Sequence, residues 1–296
     1  MKPKRLESEL QDVGTFSHPK QNLEQYATTP ALATKVLHLA AVEFGDIEDK
    51  SVIDLGVGTG VLAIGAKLMG AGHVLGLDVD MDALSECKEN LEMYEPELEV
   101  ELVLMDVIEL IRRYDDYDEQ ESDESDDDDD DDDNNNGDGK RKDYVWPKAD
   151  TVVTNPPFGT RRKGADVAFL AAAMKMADTA VYSFHKTSTR EYIQKVATKK
   201  LGAKSAKVVA EMKYGLKNQY GHHRKDEVEV FVDVWRIEPT CKMKRDGNND
   251  EDEIFEQNLR ELAANIEELQ LSARERKDKH RSSKNSNNTS NTSNRR

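Results

Sequence analysis

Cysteine is nearly missing from this chain: Cys87 and Cys241 are the only two, far apart and without C-x-x-C spacing. That excludes a self-contained cysteine-rich zinc site and points to a reducing compartment. No stretch approaches the ~18 consecutive apolar residues of a membrane-spanning helix, and the opening "MKPKRLESEL" has no apolar leader core. The expectation is a soluble protein of the cytoplasm or nucleus, the nucleolus included, with no membrane contact. Basic residues are absent from 115–138, which holds 16 Asp and Glu and no Lys or Arg. Nearly all of the formal net charge of -17 resides there, so the remainder is close to neutral. Aliphatic residues are absent from the same run. Such a segment cannot bury enough surface to offset its chain entropy and reads as a disordered acidic insertion at about 114–143.

On either side of this insertion the chain has alternating elements. Thr29-Pro30 is spaced as an N-cap and a proline at the first helical position, opening a helix that ends near Gly45. "KSVIDLGVGTG", "HVLGLDVD" and "LEVELVLMD" read as three strands, with helices over "VLAIGAKLMGAG" and "MDALSECKENLEMY" between them. After the insertion come strands "ADTVVTNPP" and "TAVYSFH" around the helix "DVAFLAAAMKMA", then a helix from Ser188 to Gly202 with Ser188 and Glu191 spaced as a capping box. "AKVVAEMKYGL" and "VEVFVDVWRIE" are joined by a short polar loop, which predicts an antiparallel last strand. The order implies an α/β fold: a seven-stranded, mostly parallel, doubly wound sheet. One domain over 1–238 carries the insertion. The extension 239–296 has apolar residues at helical spacing (Ile254, Leu259, Leu262, Ile266, Leu269), predicting a helix over 252–272 and then a disordered basic tail.

The chemistry gathers at strand ends. Asp54-Leu55-Gly56-Val57-Gly58-Thr59-Gly60 lies at the first strand-to-helix turn, where glycines allow a sharp turn and close ligand approach. A nicotinamide fingerprint would require Gly or Ala at 61, and Val61 is there instead. The D-x-G-x-G-x-G spacing resembles the S-adenosylmethionine loop of class I methyltransferases. Asp78, about 20 positions beyond the glycines, is placed for the two hydroxyls of a ribose, which suits either cofactor. Asp106 and Val107 at the third strand tip suit an adenine edge, and Asp106 equally suits a helix cap. The fourth strand ends on Asn155-Pro156-Pro157-Phe158. Neither proline has an N–H to continue a ladder, but an Asn side-chain oxygen and a rigid Pro156 carbonyl are two acceptors for a planar amino group. Gripping both N–H bonds draws the nitrogen toward tetrahedral geometry and aims its lone pair at a sulfonium methyl. Phe158 supplies a ring for a base to stack on.

The strings "NLEQYATTP", "DLGVGTGVLAIGA", "NPPFGTRRKGADVAFL" and "AVYSFHKTSTREY" closely resemble the methyltransferase-like protein five family, over roughly 5–238 apart from the insertion. The resemblance implies adenosine-N6 methylation of small-subunit (18S) ribosomal RNA. It also implies a seven-stranded class I S-adenosylmethionine-dependent fold and a heterodimer with a small zinc-binding activator subunit. By the same resemblance Gln25 and Thr28 would close over the cofactor, joining Asp54, Gly56, Gly58, Thr59, Gly60, Val61, Asp78, Asp106 and Val107. Thr59 stands where animal members often have cysteine.

Residues 160–225 carry 15 Lys and Arg against 4 Asp and Glu, a local excess suited to a phosphate backbone. Within it Arg161, Arg162, Lys163, Lys186, His222, His223, Arg224 and Lys225 are candidate RNA contacts. His222 and His223 lack a ligand partner at helical spacing, so no metal site is expected; His185 ends an apolar strand and reads as structural. A glutamine-N5 protein methyltransferase and a non-catalytic RNA-binding scaffold are the rival readings. The third strand, expected at a sheet edge, is apolar and needs a cover; strand addition by the activator subunit would provide one.

Overall fold

The computed structural model describes residues 1–111, 146–217 and 227–240, with side chains at all of these except 214–217 and 227–229. The acidic insertion, His222 to Lys225 and the helix expected over 252–272 lie outside the described residues.

Seven strands form one sheet in the order β3-β2-β1-β4-β5-β7-β6. They are β1 (Ser51–Leu55), β2 (His73–Asp78), β3 (Glu101–Leu104), β4 (Ala149–Thr154), β5 (Ala177–Lys186), β6 (Ser205–Lys217) and β7 (Glu227–Glu238). β1 to β5 pair in parallel, and β7 lies antiparallel to both β5 and β6. This is the predicted doubly wound α/β sheet with an antiparallel last strand. The order reverses between β1 and β4, whose C-terminal tips therefore open a crevice. Thr154 Oγ1 donates to the Leu55 carbonyl at 2.6 Å and locks the two tips side by side.

Successive strand residues serve opposite faces, because side chains alternate with period two. Val52, Val74, Val153, Tyr182 and Val234 face a core built with Leu6, Leu10, Val36, Leu37, Ile64 and Leu91. These come from α1 (Pro3–Leu10), α2 (Pro30–His38), α3 (Val61–Leu68) and α4 (Met81–Glu92). Ile53, Val152, Val181, Trp235 and Ile237 face a second core with Ala168, Leu170, Ala171 and Ala172 of α5 (Ala165–Met176). The alanines of α5 let it pack close on the sheet, with every residue from Leu170 to Met176 buried.

Some local expectations are corrected. Thr29 does cap α2, its side chain accepting from Leu32 N–H with Pro30 following. The capping box at Ser188 and Glu191 is absent: a 3-10 turn at Thr187–Thr189 precedes α6 (Arg190–Lys195). There Thr189 Oγ1 turns back to the Lys186 carbonyl. The third strand is only four residues long, so most of "LEVELVLMD" is not paired. The helix α1 is an element that the sequence pattern did not reveal, since only Leu6 and Leu10 are buried on it.

Candidate active site

Gly56, Gly58 and Gly60 all have positive φ (79°, 54° and 95°). At Gly60 a Cβ would also lie 2.6 Å from Cys87 Sγ, so no other residue fits. Asp54 at the end of β1 is buried; its Oδ2 accepts from Ala63 N–H at 2.9 Å, and its Oδ1 has no partner among the described residues. Burial pushes its pKa up to about 8, with the Ala63 N–H opposing and the Asp78 charge adding. The unfolded carboxyl titrates near 3.8. Between those values the folded state holds a proton that the unfolded state has released, so stability falls as pH rises through the window. Asp54→Asn needs no such proton. Without cofactor, its melting temperature is expected to fall less between pH 5 and 8 than the wild type's, as measured by calorimetry. Equal slopes would remove Asp54 as the source.

Asp78 ends β2. Its Oδ2 accepts from Gly58 N–H and its Oδ1 from Asp80 N–H, both at 2.9 Å. Burial still raises its pKa against these two bonds. Asp106 takes the cap geometry: Oδ1 accepts from Ile108 N–H at 2.9 Å and Glu109 N–H at 3.4 Å. Its Oδ2 makes no hydrogen bond among the described residues. Asp78, Asp106 and Val107, with Phe16, Leu77, Met105 and Phe169, line a cleft of about 790 Å³ counted to its open mouth. It adjoins a smaller cavity of about 320 Å³ lined by Thr28, Asp54, Thr59 and Val61. Gly56, Gly58 and Asn155 belong to both.

An N-terminal strap, residues 14–28, lies across this cleft and is tied at many points. Asn90 accepts from Gly14 N–H at 2.9 Å and donates to the Thr59 carbonyl at 2.8 Å. Lys20 reaches Asp80 at 2.6 Å and Asp82 at 2.8 Å. Gln25 accepts from Lys20 N–H and donates to Asp80, both at 2.7 Å, so its amide fastens the strap. Thr28 Oγ1 accepts from Asn155 Nδ2 at 2.9 Å. That bond uses the donor end of the Asn155 amide and leaves Oδ1 as its acceptor.

Beyond Asn155, Pro156 is buried, Pro157 lines the cleft, and Phe158 is half-buried against the α1–α4 core. Lys186 Nζ sits 5.6 Å from the Phe158 ring centroid, a cation–π distance. Arg161 and Lys163 are exposed, and Arg162 lines the cleft. The structure thus brings four of the eight expected basic contacts beside the Asn-Pro-Pro-Phe motif. His185 is buried, bonded through Nε2 to Ser183 Oγ at 2.9 Å, and burial drops its pKa to about 3 against the opposing Asp233 charge. It stays neutral near pH 7 and has the structural setting read from its strand. Burial raises the Cys87 thiol to about 12, with Asp54 and Asp78 adding, so it is no nucleophile. Among the described residues no group of three or more His, Cys, Asp or Glu forms a metal-binding cluster. Glu24 was missed by the sequence reading, although it lies within "LEQYAT": its left-handed φ of 52° is unusual for a glutamate and leaves no composition signal.

The glycine cradle, the Asp78 carboxylate at the end of β2 and the buried Asp54 oxygen without a partner among the described residues fit S-adenosylmethionine, the cofactor of this methyltransferase fold. A family model, ribosomal protein L11 methyltransferase (PrmA), matches residues 29–118, the cofactor half alone. A zebrafish (Danio rerio) rRNA N(6)-adenosine-methyltransferase METTL5 is 41% identical over 81% of this chain and 100% of its own length. The Drosophila melanogaster Mettl5 enzyme is 39% identical over 80% of this chain and 97% of its own. A proposed RNA methyltransferase from Pyrococcus horikoshii superposes with a TM-score of 0.61 at 31% identity, over 81% of this chain and 99% of its own. These relatives span both the cofactor half and the Asn-Pro-Pro-Phe half, and the chain belongs to the METTL5 family of rRNA N(6)-adenosine methyltransferases.

Proposed function

We propose that this enzyme transfers a methyl group from S-adenosylmethionine to N6 of one adenosine in the ribosomal RNA of the small subunit (18S), acting in the cytoplasm or the nucleus, the nucleolus included. The observation that carries the reading is the Asn155 amide, oriented by Thr28 at the boundary shared by the two cavities. Bound cofactor supplies an electrophilic methyl on a sulfonium. Asn155 Oδ1 and the Pro156 carbonyl each accept one N–H of the adenine amino group, and Phe158 stacks on the base. The conjugated nitrogen is a weak nucleophile; two acceptors localise its lone pair and orient it for in-line attack. No strong base is needed, because the proton is acidic once the nitrogen is cationic. The target adenosine is single-stranded or flipped, since a stacked base cannot reach the cleft. Arg161, Arg162, Lys163 and Lys186 flank the entrance and suit its phosphates.

A glutamine-N5 substrate would present the same planar amide. The basic residues around the motif favour RNA, and the protein-methyltransferase family model covers only the cofactor half. Tritiated methyl transfer to ribosomal RNA and to ribosomal protein, followed by mass mapping of nucleosides, separates the readings. Label on protein alone would overturn this one.

The partner reading is strand addition by a small zinc-binding activator subunit at β3. The edge is supported by exposed apolar side chains on β3 itself, Val103 at 38% and Leu104 at 52%, which call for a cover. Coexpression with that subunit is expected to raise soluble yield and cofactor affinity. Equal values with and without it would count against strand addition.

A further inference from the structure

Glu24 is 5% exposed, yet among the described residues no Lys or Arg side chain pairs with its carboxylate. Its partners belong instead to the loop that follows the Asn-Pro-Pro-Phe motif. Oε2 accepts from Thr160 Oγ1 at 2.7 Å. Oε1 accepts from Arg161 N–H at 2.6 Å and, more weakly, from Arg162 N–H at 3.4 Å. Two successive backbone N–H groups and a hydroxyl are a complete donor set for one anion. The residue holds a left-handed backbone (φ 52°) to place it there, a conformation that costs free energy for any side chain but glycine. The loop itself turns at glycines with positive φ, Gly159 and Gly164.

The same strap supplies Gln25 to Asp80 and Thr28 to Asn155. Within five residues, one segment reaches the cofactor side of the cleft, the acceptor amide and the basic loop. We propose that Glu24 is a positioning residue for methyl transfer: its carboxylate clamps residues 160–162, setting Arg161 and Arg162 at the substrate entrance while the strap covers the cofactor. The proposal rests on the methyl-transfer reading above and adds a consequence. The clamp acts on the RNA entrance alone, because Gln25 fastens the cofactor side of the strap through its own bonds to Lys20 and Asp80.

Two variants separate the carboxylate from the backbone. Glu24→Gln keeps length and backbone demand but sets an NH₂ against the loop donors. Glu24→Gly removes the side chain and relieves the left-handed backbone. In the full chain, both are expected to speed tryptic cleavage after Arg161, Arg162 or Lys163 at least fivefold. Both should lower kcat/KM for RNA roughly tenfold, the loss of about one charge-assisted hydrogen bond, chiefly through the KM for RNA. The Kd for S-adenosylmethionine measured without RNA should stay within about threefold, the range left by losing no direct contact. Wild-type cleavage and transfer rates in both variants would overturn the proposal. So would a wild-type rate in Glu24→Gly alone, since that would make the residue a backbone element only. So would equal losses of melting temperature, cofactor affinity and turnover, since those mark a general folding role. If the unmodified enzyme fails to methylate RNA, the functional reading falls, while the cleavage rates still decide whether the clamp exists.

Discussion

Asn155→Ala is expected to lower kcat for RNA methylation by about 10²–10³-fold, the loss typical of removing one preorganised polar group at a reacting centre, while cofactor affinity changes little. The structure gives the reason for this split. Asn155 lies at the lip where the two cavities meet, whereas Asp78, Asp106 and the glycine loop do not depend on it for any hydrogen bond. Among the described residues its side chain bonds to Thr28, through Nδ2. Removing the amide therefore deletes the acceptor for the amino group without opening the cofactor half. Single-turnover methyl transfer alongside calorimetric cofactor binding checks both. Thr28→Val, which removes the hydroxyl that orients the amide, should give a smaller loss of the same kind, about tenfold for one hydrogen bond. A full loss of cofactor binding in Asn155→Ala would place the residue in the fold rather than in the chemistry.

Asp78→Ala is expected to weaken S-adenosylmethionine binding at least ~100-fold, because two hydrogen bonds to a charged acceptor contribute about 1.5–3 kcal/mol each. Two effects combine. The carboxylate is the group suited to a ribose diol, and it also holds the Gly58 N–H at 2.9 Å, so its loss loosens the glycine turn. Asp78→Asn keeps one acceptor and should fall between the two. Calorimetric titration with the cofactor and with S-adenosylhomocysteine measures it. Unchanged affinity would move the ribose site elsewhere in the cleft.

Much of the fold was legible because it depends on short-range chemistry. The alternation of apolar runs and helical stretches gave the seven strands, and Thr29-Pro30 its helix start, since caps and periodicity are local. The failures were also local, but decided at a distance. Ser188 and Glu191 had the spacing of a capping box. The chain instead tightens into a 3-10 turn there, with Thr187 Oγ1 donating to Asp233 at 2.8 Å and Arg190 bonded to the same carboxylate. Asp233 lies on β7, 46 positions later, and a cap motif carries no information about it. Likewise "LEVELVLMD" has strand composition over its whole length, but only Glu101–Leu104 pairs, with β2, and among the described residues β3 has no strand on its outer side.

From the chain of residues alone came the class of chemistry: glycines where the backbone must turn, an acid one strand later, and an amide followed by two prolines where a strand must stop. Those features are written in residue types, because each answers a constraint of backbone geometry or donor–acceptor count. Only the tertiary structure decided which way the Asn155 amide faces, that Asp106 spends one oxygen as a cap, and that Glu24 holds the loop after the Asn-Pro-Pro-Phe motif. Each of those depends on a hydrogen bond closed across the sheet or between distant loops, and such pairings exist only once the core has brought the two strand tips together.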